Sequence, residues 1–331
     1  MKSICYIVPY FGKLPDIMPI WLKSCELNPS INWILFTDDS YSKYNIPSNV
    51  SFYNLTFDEM KKKIQSMFPF TIRIDSPYRL CDYKVAYGYI FEEELKSYDF
   101  WGYCDLDMIF GDIRSFLTND ILNNYDRIGF LGHSTLYRNE PQINQLFMSN
   151  VDGIEIYKKI FSSEGSQNCF FDEKWIDIIC DNFNIKTYRK TIFADIIPWA
   201  WKFRIGYCSK VEKEKNEHRI FYWDNGKLFS YSIDKSRNFI KDEFMYIHLL
   251  KRRMKFKRNI DVDDKLLIIP NKIKSYSQDI TPLIVKRYSI NYMILYWYDL
   301  LKAKWRKISV KNLINYFSIR RKAQKRYYSK K

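Results

Sequence analysis

Two short apolar runs and the segment between them constrain the fold more than any other feature. Ile4-Cys5-Tyr6-Ile7-Val8 is β-branched and aromatic and ends at Pro9, and Trp33-Ile34-Leu35-Phe36-Thr37 repeats the pattern and ends at Asp38-Asp39. Runs of this length closed by turn residues read as buried strands. Between them, Pro15 to Leu27 carries Ile17, Ile20, Trp21 and Leu27 at helical spacing and stops at Asn28-Pro29. Strand, helix and strand in that order begin an α/β protein.

The alternation continues. Val50 to Leu55 reads as a third strand, and Phe57 to Phe68 as a helix with Asp58 and Glu59 in its first turn, where the helix dipole favours acids. Asp82 is read as the cap of a helical segment holding Val85, Ala86, Tyr89, Ile90 and Leu95. Phe100-Trp101-Gly102-Tyr103-Cys104 is an apolar strand that ends abruptly in Asp105-Leu106-Asp107, and Arg127 to Leu131 is a further strand. Ile154 to Phe161 and Phe171 to Phe183 read as helices, while Asn225-Gly226 has the chemistry of a tight hairpin turn.

Charge divides the chain. Of 53 Lys and Arg and 38 Asp and Glu, residues 251–331 hold 23 and 5, leaving 30 and 33 in the first 250. A near-neutral body with a strongly basic end points to a membrane surface or a polyanion as partner of that end. In it, Tyr292, Leu295, Tyr296, Leu300, Leu301 and Trp305 interleave with Lys302, Lys304, Arg306 and Lys307. The pattern is that of a basic amphipathic helical pair, suited to an anionic membrane interface. Its alternative is a core-packed hairpin with a solvated basic face. The longest uncharged apolar stretch there, Tyr288 to Tyr298, has 11 residues, against roughly 20 needed to cross a bilayer. No nucleic-acid module accompanies the charge, so nucleic acid is not expected as a partner.

Seven scattered cysteines, with no C-x-x-C, argue against a disulfide framework or a zinc site. No export signal is read at Met1 to Pro9. The expectation is a cytoplasmic protein, peripheral on the inner face of the membrane. Two domains are expected: a catalytic body over residues 1–255 and a basic, aromatic, helical region over 256–331.

Asp105 and Asp107 carry the chemistry. Side chains two apart on a strand point the same way, so both carboxylates can share a ligand. Ligands of open α/β sheets sit beyond the carboxyl ends of the strands, where an acidic pair suits a hard cation carrying a phosphate group. His248, in Tyr246-Ile247-His248-Leu249-Leu250-Lys251, is a third metal ligand by the same reasoning, and Lys251 would meet a diphosphate on the same cation. Each has a plainer alternative, a strand-end turn for the acids and a buried structural histidine for His248.

The stretches Asp82-Tyr83-Lys84-Val85-Ala86-Tyr87-Gly88 and Tyr98 to Ile113, with Asp105-Leu106-Asp107 inside, resemble a family of GT-A type glycosyltransferases from bacterial surface-polysaccharide clusters. Val8-Pro9-Tyr10-Phe11-Gly12, Phe36-Thr37-Asp38-Asp39 and Glu243 to His248 are similar as well, and the likeness spans about residues 4–255. It implies a Rossmann-like mixed sheet that binds a nucleotide sugar, with Asp105, Asp107 and His248 holding Mn²⁺ or Mg²⁺ on the donor diphosphate. It further implies that Pro9, Tyr10 and Phe11, with Asp38 or Asp39, face the nucleotide, the alternative for the two acids being ordinary turn chemistry after a strand. Leu106 is counted with the donor-binding residues. The glycine that such enzymes carry between histidine and lysine is missing between His248 and Lys251.

Arg79 and Lys84 are the bases nearest the acidic pair in sequence and are expected to reach donor phosphate or sugar, the alternative for Lys84 being a solvated helix face. Asp172 and Glu173, an acidic pair between aromatics, are candidate catalytic residues beside the acceptor, with a helix cap as the alternative. His133 and Asn139 are weaker candidates for contact with acceptor hydroxyls. The expected activity is transfer of a hexose from a UDP-linked donor to a lipid-linked oligosaccharide. The alternatives are another metal-dependent phosphate enzyme, such as a nucleotidyltransferase, and a non-catalytic membrane- or polyanion-binding protein.

Overall fold

The computed structural model describes residues 1–165, 168–198, 201–206, 216–256 and 265–290. The first unit is β1 (Ile4–Pro9), α1 (Met18–Glu26), β2 (Ile31–Thr37), β3 (Val50–Asn54) and α2 (Phe57–Ser66). Strands β1, β2 and β3 are parallel in register, as the opening strand–helix–strand pattern requires. Thr56 caps α2 in a capping box with Glu59.

Then come β4 (Phe100–Cys104), β5 (Met108–Phe110), β6 (Arg127–Leu131), β7 (Ser134–Arg138), β8 (Thr187–Tyr188) and β9 (Ala194–Asp195). The main sheet has the order β3-β2-β1-β4-β7-β6-β8. Strand β4 is parallel to β1 and antiparallel to β7, so the sheet changes from parallel to mixed at β4. The protein is therefore mixed α/β with a Rossmann-like parallel half. Alternate residues bury opposite faces. Cys5, Ile7, Ile34, Trp101 and Tyr103 pack with Met60 and Ile64 of α2, while Tyr6, Trp33 and Phe100 pack with Met18 and Trp21 of α1. Burial on both faces explains why β1, β2 and β4 read as unbroken apolar runs.

The remaining strands are β10 (Asn216–Asp224), β11 (Lys227–Asp234), β12 (Phe239–Phe244), β13 (Tyr246–His248), β14 (Lys265–Ile269) and β15 (Lys272–Ser275). They build an antiparallel sheet, β12-β11-β10-β14-β15, and a small one, β5-β13-β9. The β10–β11 turn has Asn225 and Gly226 at φ 47° and 80°, the left-handed pair of a type I′ turn. One face of the larger sheet, with Phe221, Trp223, Leu266 and Ile268, packs with Ile20, Ile109 and Ile247. The other face, with Ile220, Tyr222 and Leu267, is covered at Val285 by the helix Pro282–Tyr288.

Three expectations are corrected. Residues 265–275 are a β-hairpin paired to β10 rather than helix. Residues 80–95 form short turns of helix rather than one continuous helix. Asp82 does not cap its own segment; its buried carboxylate pairs with Arg79 and accepts the backbone N–H groups of Cys169 and Phe171, tying that segment down. The basic stretch from residue 291 onward lies outside the described residues. No helix among the described residues is long and apolar enough to cross a membrane.

Candidate functional site

A cleft of about 850 Å³ opens beyond the carboxyl ends of β1 and β4. Asp105, Leu106 and Asp107 lie on its lining, in the turn between β4 and β5 rather than on an extended strand. The pair therefore converges through its neighbours, not through period-two alternation. Strand β13 runs antiparallel to β5 with His248 opposite Met108, which sets the imidazole beside Asp107. Nε2 of His248 is 3.3 Å from Asp107 Oδ1 and 3.7 Å from Asp105 Oδ2. One ligand atom from each of the three lies within 4.8 Å of the other two.

Burial alone would lower the pKa of His248, but the charge and hydrogen bond of Asp107, joined by Asp195, outweigh it and raise it to about 10. Burial would raise the Asp107 carboxyl; His248 and the backbone N–H of Lys251 prevail and hold it well below the usual range. Two carboxylate oxygens and an imidazole nitrogen are a suitable donor set for a divalent cation of the Mn²⁺ or Mg²⁺ type, with the cleft side open for a further ligand. The residues present fit such an ion.

Lys84 is buried beneath the pair. Its Nζ donates to Asp105 Oδ1 and to the carbonyl of Gly132, both at 2.7 Å, and stands 3.9 Å from Asp172 Oδ2. It lines the cleft but is no solvated helix face. Burial opposes its charge, yet Asp105, Cys81 and Asp172 hold its pKa well above the ordinary value. Asp172 is nearly fully buried, and burial pushes its carboxyl well up against the pull of Lys84. Glu173 accepts the backbone N–H of Gly132 at 3.2 Å.

The loop from His248 to Lys251 is shaped against Asp107. Leu249 N donates to the Asp107 carbonyl, Lys251 N to its carboxylate, and Arg252 N to Leu249 O, closing a turn. Leu250 and Lys251 sit at φ 49° and 59° in that turn, a conformation that costs a non-glycine residue roughly 1–2 kcal/mol. The Lys251 ammonium lies over the Tyr78 ring, 4.5 Å from its centre.

Pro9, Tyr10, Phe11, Lys84, Asp105, Leu106, Asp107, His133, Asp172, Glu173, His248 and Lys251 thus share one cleft. Four candidates stand apart from it. Arg79 is fully buried, bonded to Asp82, Ile160 O and Ser163, because its charge is spent on holding residues 160–169. Asn139 donates to the carbonyls of Leu95 and Tyr98 at the opposite end of the sheet from Cys104. Asp38 and Asp39 accept the backbone N–H groups of Gly12 and Leu14, bracing the loop after β1 from outside the lining. His133 lines the cleft yet is nearly fully buried, its Nδ1 3.1 Å from the Tyr246 hydroxyl.

Asp195 escapes a reading of the sequence. It is buried, with Oδ1 2.9 Å from His248 Nδ1. The signal available was an acid inside the apolar run Ile192-Phe193-Ala194-Asp195-Ile196-Ile197, where a buried carboxylate demands a partner.

Among solved structures the chain is similar to that of the galactosyltransferase LgtC in complex with donor and acceptor sugar analogues, at 12% identity over 59% of this chain and 76% of that one, with a TM-score of 0.33. No curated protein matches it. The model of a family of unknown function (DUF6625) matches residues 6–277, and the chain belongs to that family.

Proposed function

We propose that the protein is a metal-dependent glycosyltransferase that moves a hexose from a nucleotide diphosphate sugar, UDP-hexose foremost, to a lipid-linked glycan acceptor in bacterial surface-polysaccharide synthesis. One observation carries the reading: Asp105, Asp107 and His248 Nε2 converge on the floor of a large cleft beyond the ends of parallel strands. Such a floor suits a cation-bound diphosphate. Mn²⁺ or Mg²⁺ held by these three would neutralise charge on the departing nucleoside diphosphate.

The chain's own groups have distinct tasks in this reading. Lys251 offers its ammonium to a diphosphate oxygen at the rim, and Pro9, Tyr10 and Phe11 form the wall for the nucleotide. Lys84 holds Asp105 in place from below. Asp172, on the lining with its carboxyl pushed up by burial, is the group placed to hydrogen-bond a sugar hydroxyl. Glu173, less buried, is the group suited to accept the acceptor hydroxyl's proton if the transfer inverts the anomeric centre.

The basic stretch supports a peripheral position on the inner face of the membrane. Residues 291–331 hold twelve Lys and Arg against one Asp, and each base near an anionic surface contributes about 1 kcal/mol. Holding the body at the bilayer raises the effective concentration of a lipid-linked acceptor.

Calorimetry of UDP with and without Mn²⁺ tests the site. Binding that needs the metal and is lost in Asp107→Asn is expected; binding of equal strength in the variant contradicts the assignment. Co-sedimentation with anionic vesicles tests the anchor. The deletion should begin at residue 291, because Val285 just before it is buried under the sheet. Loss of vesicle binding is expected, and unchanged binding refutes it.

A further inference from the structure

We propose that Asp195 is a positioning residue, whose carboxylate sets the His248 ring so that Nε2 faces Asp105 and Asp107. The inference rests on the metal-dependent reading above. Strand β9 runs parallel to β13 with Asp195 paired to His248, so the two side chains leave neighbouring strands on one side. Asp195 Oδ1 is 2.9 Å from His248 Nδ1, and both residues are at most 2% exposed. With Nδ1 donating to Asp195, Nε2, 3.3 Å from Asp107 Oδ1, is the nitrogen that yields its proton and turns its lone pair to a cation when one binds.

The surroundings fix the pair on every side. Ile196 N donates to the His248 carbonyl at 2.9 Å, and Gly206 N to the Asp195 carbonyl at 2.6 Å. A Cβ at Gly206 would come within 3.2 Å of Asp195 Oδ2, so glycine there leaves the carboxylate its place. The His133 ring lies 4.5 Å from the His248 ring at 34°, and its Nδ1 is 3.1 Å from the Tyr246 hydroxyl. His248 is thus held at its edge by Asp195 and on its face by His133. A competing arrangement has Asp195 ligating a cation itself, since one atom each of His133, Asp195 and His248 also lie within 4.8 Å of one another.

Mn²⁺ titration of the full chain without donor, followed by electron paramagnetic resonance, separates these cases. The wild type is expected to bind one Mn²⁺ with a histidine ¹⁴N coupling in its spin-echo spectrum. Asp195→Asn, which keeps the acceptor oxygen without its charge, should bind about tenfold more weakly, and Asp195→Ala about 10–100-fold more weakly with the ¹⁴N coupling diminished. A merely structural role would lower the melting temperature and leave the coupling intact, which overturns the proposal. Unchanged affinity in both variants overturns it as well, and Asp195→Asn decides alone if Asp195→Ala fails to fold. Two Mn²⁺ in the wild type, one of them lost with Asp195, overturns it by making Asp195 a ligand. A wild type that binds no Mn²⁺ overturns the metal-dependent reading itself, and this inference with it.

Discussion

Replacing Lys84 by methionine removes one buried cation from between two carboxyl groups and a backbone carbonyl and keeps its length. Lys84 is 8% exposed and donates to Asp105 Oδ1 and Gly132 O, with Asp172 Oδ2 at 3.9 Å. Removing one partner of a fully buried pair costs about 3–5 kcal/mol. The figure here is lower for two reasons. The Asp105 side chain is 36% exposed, so water compensates part of its loss. Asp172, already pushed up, sheds its charge by taking a proton. We expect Lys84→Met to lose about 2–3 kcal/mol in urea titrations of the metal-free chain at neutral pH. Adding Asp172→Asn should recover part of it, with a coupling of about 1 kcal/mol between the two sites. A loss within about 0.5 kcal/mol, the range of a solvated surface residue, would refute the argument and return Lys84 to an exposed helix face.

Other consequences follow from the same geometry. His248 has a pKa of about 10 in the folded metal-free chain against an ordinary value of 6.5, so its stabilising charge is fully present below pH 6.5 and is lost as the pH rises toward 10. Melting temperatures of the metal-free chain should therefore fall between pH 7 and pH 9.5, and His248→Gln should flatten that fall; a wild-type profile no steeper than the variant's contradicts the raised value. Asp82→Asn strands the buried Arg79 guanidinium and should cost about 3–5 kcal/mol, while UDP affinity of the folded protein stays the same; a weakened affinity at full folding would return Arg79 to the donor site. In Gly132→Ala the new Cβ falls 2.3 Å from Asp172 Oδ2, which should destabilise by about 1–3 kcal/mol; a crystal structure with Asp172 unmoved and unchanged stability would contradict the packing.

What could be read from the residues was local. Strands β1, β2 and β4 are legible because burial on both faces makes them unbroken apolar runs, and the Asn225-Gly226 turn because only such residues accept two left-handed conformations cheaply. Asp105, Asp107 and His248 share one cleft. The hairpin of β14 and β15 was hidden by the basic composition around it, although Pro270-Asn271 after the apolar run Leu266 to Ile269 is turn chemistry and Asn271 stands at φ 63°. Asp38 and Asp39 are strand-end acids, and nothing in their spacing says that their partners are the amides of Gly12 and Leu14, about 25 residues away. Arg79 and Asn139 look available in sequence because the carbonyls that absorb them belong to other segments. Asp195 acquires its meaning only from a strand pairing across 53 residues.

Nucleoside diphosphate release distinguishes metal-dependent sugar transfer from every other reading of the cleft. A panel of UDP-sugars would be incubated with the full chain in Mn²⁺, in Mg²⁺ and in chelator, with Asp107→Asn alongside. UDP should be released from one sugar, only with the metal, and not by the variant. Release of phosphate or pyrophosphate instead, or UDP release that survives chelator and the substitution, would contradict it.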